Sequence, residues 1–223
     1  MITQVKKWVT EHPVWFAILF FIFYFTGFFT LEHLVTEPVY LLHCGLDDLI
    51  PFNEWFIFPY ASWFVLIPWA LITLLLFDRK NYFYLCGVMF SGMALCLLLY
   101  LIFPNGVDLR PQSIESSNIA AIFVRMIWSA DTSTNVCPSI HVASTFAIFL
   151  AVQRSRIWKH RKLVVGICGV LTVLICLSTL FLKQHSVIDV VCGIALSTAL
   201  HFVFRRTGER EQAVLCRLGE NEG

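Results

Sequence analysis

Residues 163–182 read LVVGICGVLTVLICLSTLFL, twenty positions without one charged side chain, followed at once by Lys183-Gln184-His185-Ser186-Val187-Ile188-Asp189. Twenty apolar residues make about 30 Å of helix, the thickness of a bilayer's hydrocarbon core. Three more charge-free stretches of comparable length run from Pro13 to Leu31, Trp55 to Phe77 and Asn81 to Val107. The 223-residue chain is 58% hydrophobic and 14% charged, with a mean hydropathy of +0.74. That composition excludes an ordinary soluble domain and points to a polytopic membrane protein. The net charge of +1 carries no message as a total, and no nucleic-acid partner is expected.

Two further helices use the remaining apolar residues, at about Pro138 to Gln153 and His185 to Phe204. The expected fold class is therefore all-α, with six transmembrane helices. With the N-terminus inside, thirteen of the sixteen Lys and Arg residues fall on inner segments, leaving only Arg110, Arg125 and Lys183 outside. Cytoplasmic loops carry the excess of basic residues, so both termini are expected in the cytoplasm. Asp47, Asp48 and Glu54 in the first outer loop agree. Residues 1–206 read as one membrane domain and 207–223 as a polar cytoplasmic tail. Lys6-Lys7 before the first helix resembles the start of a signal peptide, but the apolar core is long and no small-residue cleavage site follows, so this helix reads as an anchor. The eight cysteines form no CxxC pair and no zinc spacing, and five lie in apolar runs as small hydrophobes. Cys44 and Cys137 both fall outside, where a disulfide and two free thiols fit equally.

This orientation brings three polar stretches to the outer face: Asp108-Leu109-Arg110-Pro111, Pro138-Ser139-Ile140-His141, and Lys183 through Asp189. His185 and Asp189, four apart at a helix start, share one face, so the carboxylate can hold one imidazole nitrogen and leave the other as an oriented base or nucleophile. A metal pair or a purely structural hydrogen bond would use the same spacing. Pro138 suits the first position of a helix, where its missing N–H is no loss. The free N–H groups that follow make an anion site to which Ser139 adds a hydroxyl, and His141 stands one turn in, able to protonate a leaving oxygen. The plainer alternative is a Pro-capped helix with an incidental histidine. Arg110 offers a guanidinium suited to two phosphate oxygens, and Lys183 a second cation. Each alone also fits a solvated or snorkelling surface group. Arg125, Asp131 and Asn135 lie in the same outer loop without an assigned role. Together, two histidines, an Asp, two cations and a helix N-terminus supply what phosphoryl transfer needs, with no metal or other cofactor required.

The order Arg110-Pro111, then Pro138-Ser139-Ile140-His141, then Ser178 through His185 to Asp189 resembles the three-part signature of the type-2 phosphatidic acid phosphatase superfamily, over roughly residues 100 to 195. The six-helix layout is also that family's. The resemblance implies a metal-independent transfer in two steps. His185 attacks phosphorus, Asp189 orients it, and His141 protonates the departing alkoxide. Arg110, Ser139 and Ser178 hold the phosphoryl oxygens, and Lys183 stands in for a cation this sequence lacks. Two departures matter: the family's first block begins with Lys where this chain has Phe103, and its third block reads Ser-Arg where this chain has Ser178-Thr179. The family's inositol phosphorylceramide and sphingomyelin synthases also depart from the full phosphatase pattern. The expected activity is a lipid phosphate phosphatase at the outer face of the cell membrane, with a head-group phosphotransferase as the alternative. A transporter or non-catalytic anion-binding membrane protein is a third reading, from another class.

Overall fold

The chain's hydrophobic runs become helices whose ends coincide with residues that stop or cap them. The computed structural model describes residues 2–35 and 37–220, with side chains described for 4–35 and 37–205. A short helix α1 (Ile2–Glu11) leads into α2 (Pro13–Leu34), which starts on a proline. After a two-residue strand β1 (Tyr40–Leu41) and a one-turn helix α3 (Gly45–Leu49), a 3-10 turn at Glu54–Phe56 opens α4 (Ile57–Phe77). Asp78 ends α4 and caps α5 (Arg79–Ile102), accepting from the Asn81 N–H at 3.2 Å. The strand β2 (Asn105–Gly106) pairs in parallel with β1. Then follow α6 (Ile119–Ala130), α7 (Ile140–Arg154), α8 (Arg161–Phe181) and α9 (Val187–Glu220).

Among the described residues, five helical segments are long and apolar enough to cross a membrane: 13–34, 54–77, 79–102, 161–181 and 187–205. The four charge-free stretches and the segment expected at 185–204 thus become helices at or close to their expected limits. The sixth expected span is α7, at 15 residues about 22 Å long and shorter than the ~30 Å hydrocarbon core. The amphipathic helix α6 takes up part of what reads in sequence as an outer loop. Residues 207–220 continue the α9 backbone, and the last three residues of the expected tail lie outside the described ones.

In lipid, helices associate through close packing and hydrogen bonds rather than through escape from water. The central helices α5 and α7 carry this packing. Leu85, Val88, Met93 and Cys96 of α5 and Ala147, Ile148 and Ala151 of α7 are fully buried in one core. A Cβ added at Gly193 of α9 would lie 2.9 Å from the Ser139 carbonyl oxygen, so glycine there lets α9 close on the start of α7. Two bonds lock the approach, from the Ser139 N–H to the Asp189 carbonyl (3.1 Å) and from the Ser197 hydroxyl to the Ala143 carbonyl (2.6 Å). At the other end of α7, the Asp78 carboxylate also accepts from the Ser155 hydroxyl at 2.6 Å. Burial pushes the Asp78 carboxyl up, but hydrogen bonds from Ser155 and Asn81 outweigh it and hold the group below its usual range. Cys44 and Cys137 are free thiols, which settles the choice the sequence leaves open.

Candidate active site

The chain between α8 and α9 is a tight turn, and His185 sits in it rather than in a helix. The sequence places His185 on the first turn of a helix; α9 in fact begins at Val187, because Ser186 and Asp189 cap it there. The Ser186 N–H donates to Asp189 Oδ2 at 2.9 Å, and the Ile188 N–H donates to the Ser186 hydroxyl at 3.2 Å. The same Oδ2 faces His185 Nδ1 at 3.3 Å, long for a charge-assisted bond, as such contacts often are without substrate. Asp189 is fully buried, and His185 is 7% exposed. With Nδ1 on the carboxylate, Nε2 is the free nitrogen.

His141 lies in the first turn of α7. The helix starts at Ile140, two residues later than a proline at its first position implies. Ser139 takes the cap, its hydroxyl accepting from the Val142 N–H at 3.4 Å. The Ser139 oxygen accepts there, which leaves its O–H as a donor. Tyr60 and Trp63 of α4 hold the His141 ring, at centroid distances of 4.6 and 4.5 Å. Trp63 is itself tied to the Ser144 hydroxyl through Nε1 at 2.8 Å. The His141 and His185 rings meet edge to face, 5.9 Å apart.

Both rings line a cavity of about 170 Å³. Its walls are aromatic on the α2 and α4 side, with Tyr24, Phe28, Tyr60 and Trp63, and polar on the other, with Asp131, Thr132, Asn135 and Gln184. Arg110 reaches the edge of this polar side. Its guanidinium donates to the carbonyls of Asp131 (2.9 Å) and Thr132 (3.0 Å) and to the Gln184 side-chain oxygen, and it stacks 5.3 Å from the Trp128 ring centre. Arg110 Nε and Gln184 Nε2 are buried donors without a partner among the described residues.

Two other expected phosphate ligands point elsewhere. The Lys183 ammonium donates to the Asp47 carbonyl at 2.8 Å and does not line the cavity, because the turn puts Lys183 at φ 55° and swings its side chain toward α3. The Ser178 hydroxyl returns to the Ile175 carbonyl of its own helix at 2.7 Å, as buried serines in helices do. Neither position that departs from the signature supplies a cation, since Phe103 is a half-exposed ring and Thr179 is buried with its hydroxyl on Cys176 O.

Several residues around the site carry no signal in the motifs. Glu32, buried at the end of α2, accepts from the Thr132 N–H (3.0 Å), the Thr132 hydroxyl (2.6 Å) and the Asn135 amide (3.2 Å). An acid in an apolar span is a functional signal in its own right, and that signal would have found Glu32. Asp131, left without a role in the sequence, lines the cavity. Burial first, then the Glu32 carboxylate, raises its carboxyl to about 6. Asn135, also left without a role, adopts φ 56°, a left-handed geometry that Asn tolerates. Arg125 holds the carbonyls of Ile114 and Ser116 and stays outside the cavity wall. Gln184 is adjacent to the key histidine but belongs to no motif.

Among known protein families, the PAP2 superfamily model matches residues 81–212, which takes in Arg110, His141, His185 and Asp189. A search of curated proteins found no match.

Proposed function

The chain belongs to the PAP2 superfamily, and from that premise we propose that it is an integral-membrane lipid phosphate phosphatase working through a phosphohistidine. The observation that carries the reading is the facing pair of histidines on one cavity, with only His185 backed by a buried carboxylate. In the first step His185 Nε2 donates its electron pair to phosphorus, the P–O bond to the lipid alkoxide breaks, and His141 as imidazolium gives that oxygen its proton. Asp189 balances the positive charge that develops on His185. In the second step neutral His141 takes a proton from water, the hydroxide attacks phosphorus, and the P–N bond breaks to release phosphate and return His185. Arg110 Nε and Gln184 Nε2 are the donors closest to spare for phosphoryl oxygens, since buried donors without partners in the fold are ready for a polar ligand. In this reading α7 is a short sixth span, both termini are cytoplasmic and the cavity opens to the extracytoplasmic face, which the excess of Lys and Arg on the inner segments supports.

A second reading, transfer of a phospho-head group to a lipid alcohol, is favoured by one feature. Among the described residues no Lys or Arg lines the cavity wall, and Asp131 does, so a phosphodiester with one negative charge suits the wall better than a monoester dianion. Purified protein in detergent with excess chelator, given phosphatidic acid with and without diacylglycerol or ceramide, separates the two by product. Phosphate release that persists with chelator and disappears in His185→Ala supports the phosphatase. Product formed only when a lipid alcohol is added supports the transferase, and no product under any condition counts against both.

A further inference from the structure

Asp47 is a buried carboxylate 138 positions away from His185 in the chain, outside the stretch matched by the family, and its bonds bracket that histidine on both sides. Its Oδ1 accepts from the Val187 N–H at 2.8 Å, and its Oδ2 from the Ser186 hydroxyl at 2.7 Å and from the Cys44 N–H at 2.8 Å. Its main-chain carbonyl accepts from the Lys183 ammonium at 2.8 Å. Residues 183, 186 and 187 are thus tied to one residue of α3, and the turn's own main chain adds bonds from Lys183 to Leu180 (3.0 Å) and from Gln184 (3.0 Å) and His185 (3.2 Å) to Thr179. Lys183 has φ 55°, a left-handed conformation that disfavours a residue with a Cβ and persists where its surroundings enforce it. The helix cap enforces it, with the Lys183 N–H on the Leu180 carbonyl and the Gln184 N–H on the Thr179 carbonyl as in a left-handed helix end, and the Asp47 carbonyl then holds the Lys183 side chain. The carboxylate also stands at the N-terminus of α9, where the helix dipole favours negative charge. Burial pushes the Asp47 carboxyl up, but the hydrogen bonds from Ser186, Val187 and Cys44 outweigh it and keep the group below its usual range.

We propose that Asp47 is a positioning residue for the reaction assigned above: it latches the 183–187 turn so that His185 presents its free nitrogen to the cavity, without itself touching substrate. This rests on the phosphohistidine reading. A catalytic group displaced by about 1 Å loses roughly two orders of magnitude in rate, so the loss from opening the latch falls on kcat rather than on KM.

The test uses the full chain in detergent with Asp47→Ala, Asp47→Asn and Ser186→Ala, which removes one Asp47 bond together with the Ile188 cap. Two quantities are read: kcat and KM on phosphatidic acid, and the rate at which diethyl pyrocarbonate modifies His185, followed by mass spectrometry against the exposed His160. Leu74→Ala, a core change near the opposite end of α4, is the control for general destabilisation. The latch predicts that Asp47→Ala lowers kcat about 100-fold with KM within about threefold, and speeds His185 modification about tenfold. Ser186→Ala shifts both in the same direction by less, and adds little when combined with Asp47→Ala, because the two share one bond. The proposal is overturned if Asp47→Ala leaves both quantities within about twofold of wild type, or if Leu74→Ala at matched melting temperature reproduces both changes. A wild type that turns over no lipid while His185 modification still rises in Asp47→Ala overturns the assigned reaction and leaves the latch standing.

Discussion

The two histidines are held by opposite means. His185 sits in a turn fixed by hydrogen bonds: Asp189 on its ring, Thr179 on its backbone, Asp47 on its neighbours. His141 sits on a helix and is fixed by ring packing, between Tyr60 and Trp63. The difference matches the roles proposed. A nucleophile needs one nitrogen occupied and the other free, which a directional bond supplies. A proton donor that changes charge twice per turnover is better held by contacts that do not depend on its protonation state.

The sharpest way to break this contrast is at the carboxylate. Asp189→Asn keeps the shape but supports the wrong tautomer, and kcat should fall about 10³-fold, approaching the loss in His185→Ala. Steady-state kinetics on a lipid phosphate would show it, and a loss under tenfold would mean that Asp189 only packs. On the other histidine, Trp63→Phe keeps a ring but removes the bond to Ser144. The expected loss in kcat is about tenfold with KM nearly unchanged, and an unaltered rate would mean that His141 does not depend on its aromatic neighbours. Because one histidine must be neutral and the other charged, kcat against pH should be bell-shaped, with both limbs belonging to the pair. A flat profile from about pH 5 to 8 contradicts the two-histidine mechanism.

Smaller effects test the polar wall. A carboxyl whose folded pKa is raised stabilises the fold below its unfolded value, about 3.9, and loses that contribution as pH rises through the folded one. For Asp131 the window runs up to about 6. Asp131→Asn should therefore gain on the wild type by roughly 1–3 kcal/mol between pH 4 and pH 7.5, read as a pH-dependent difference in melting temperature. A difference that does not change with pH would place Asp131 in water. Smallest of all, Lys183→Met should leave KM for a phosphate lipid within about twofold, because its ammonium is on Asp47. A tenfold rise in KM would restore Lys183 as a phosphate ligand.

What was legible in the sequence follows the range of the interactions. The long apolar runs are local and appear as helices, and the His185–Asp189 contact also forms, though from a turn residue onto the first turn of α9 and not along one helix. The helices α7 and α9 start two residues later than the sequence implies because Ser139 and Ser186 are caps, a choice made by hydrogen bonds that a charge-free run does not encode. Lys183 shows most clearly how far a side chain's bonding can lie from what its type suggests. Its chemistry suits a phosphate, but its destination is set by a carbonyl in a distant loop and by a left-handed turn. Tyr60, Trp63 and Asp47 were illegible for the same reason, since only the folded chain brings them near the histidines.

The central claim is that His185 forms a covalent bond to phosphorus. Rapid quench of the purified protein with its lipid substrate, under conditions that preserve acid-labile phosphohistidine, followed by peptide mass spectrometry, tests it directly. A phosphoryl or phospho-head-group adduct on His185, formed at a rate consistent with turnover and absent from His185→Ala, is the predicted result. Turnover without any adduct on His185, or with the adduct on another residue, would contradict it.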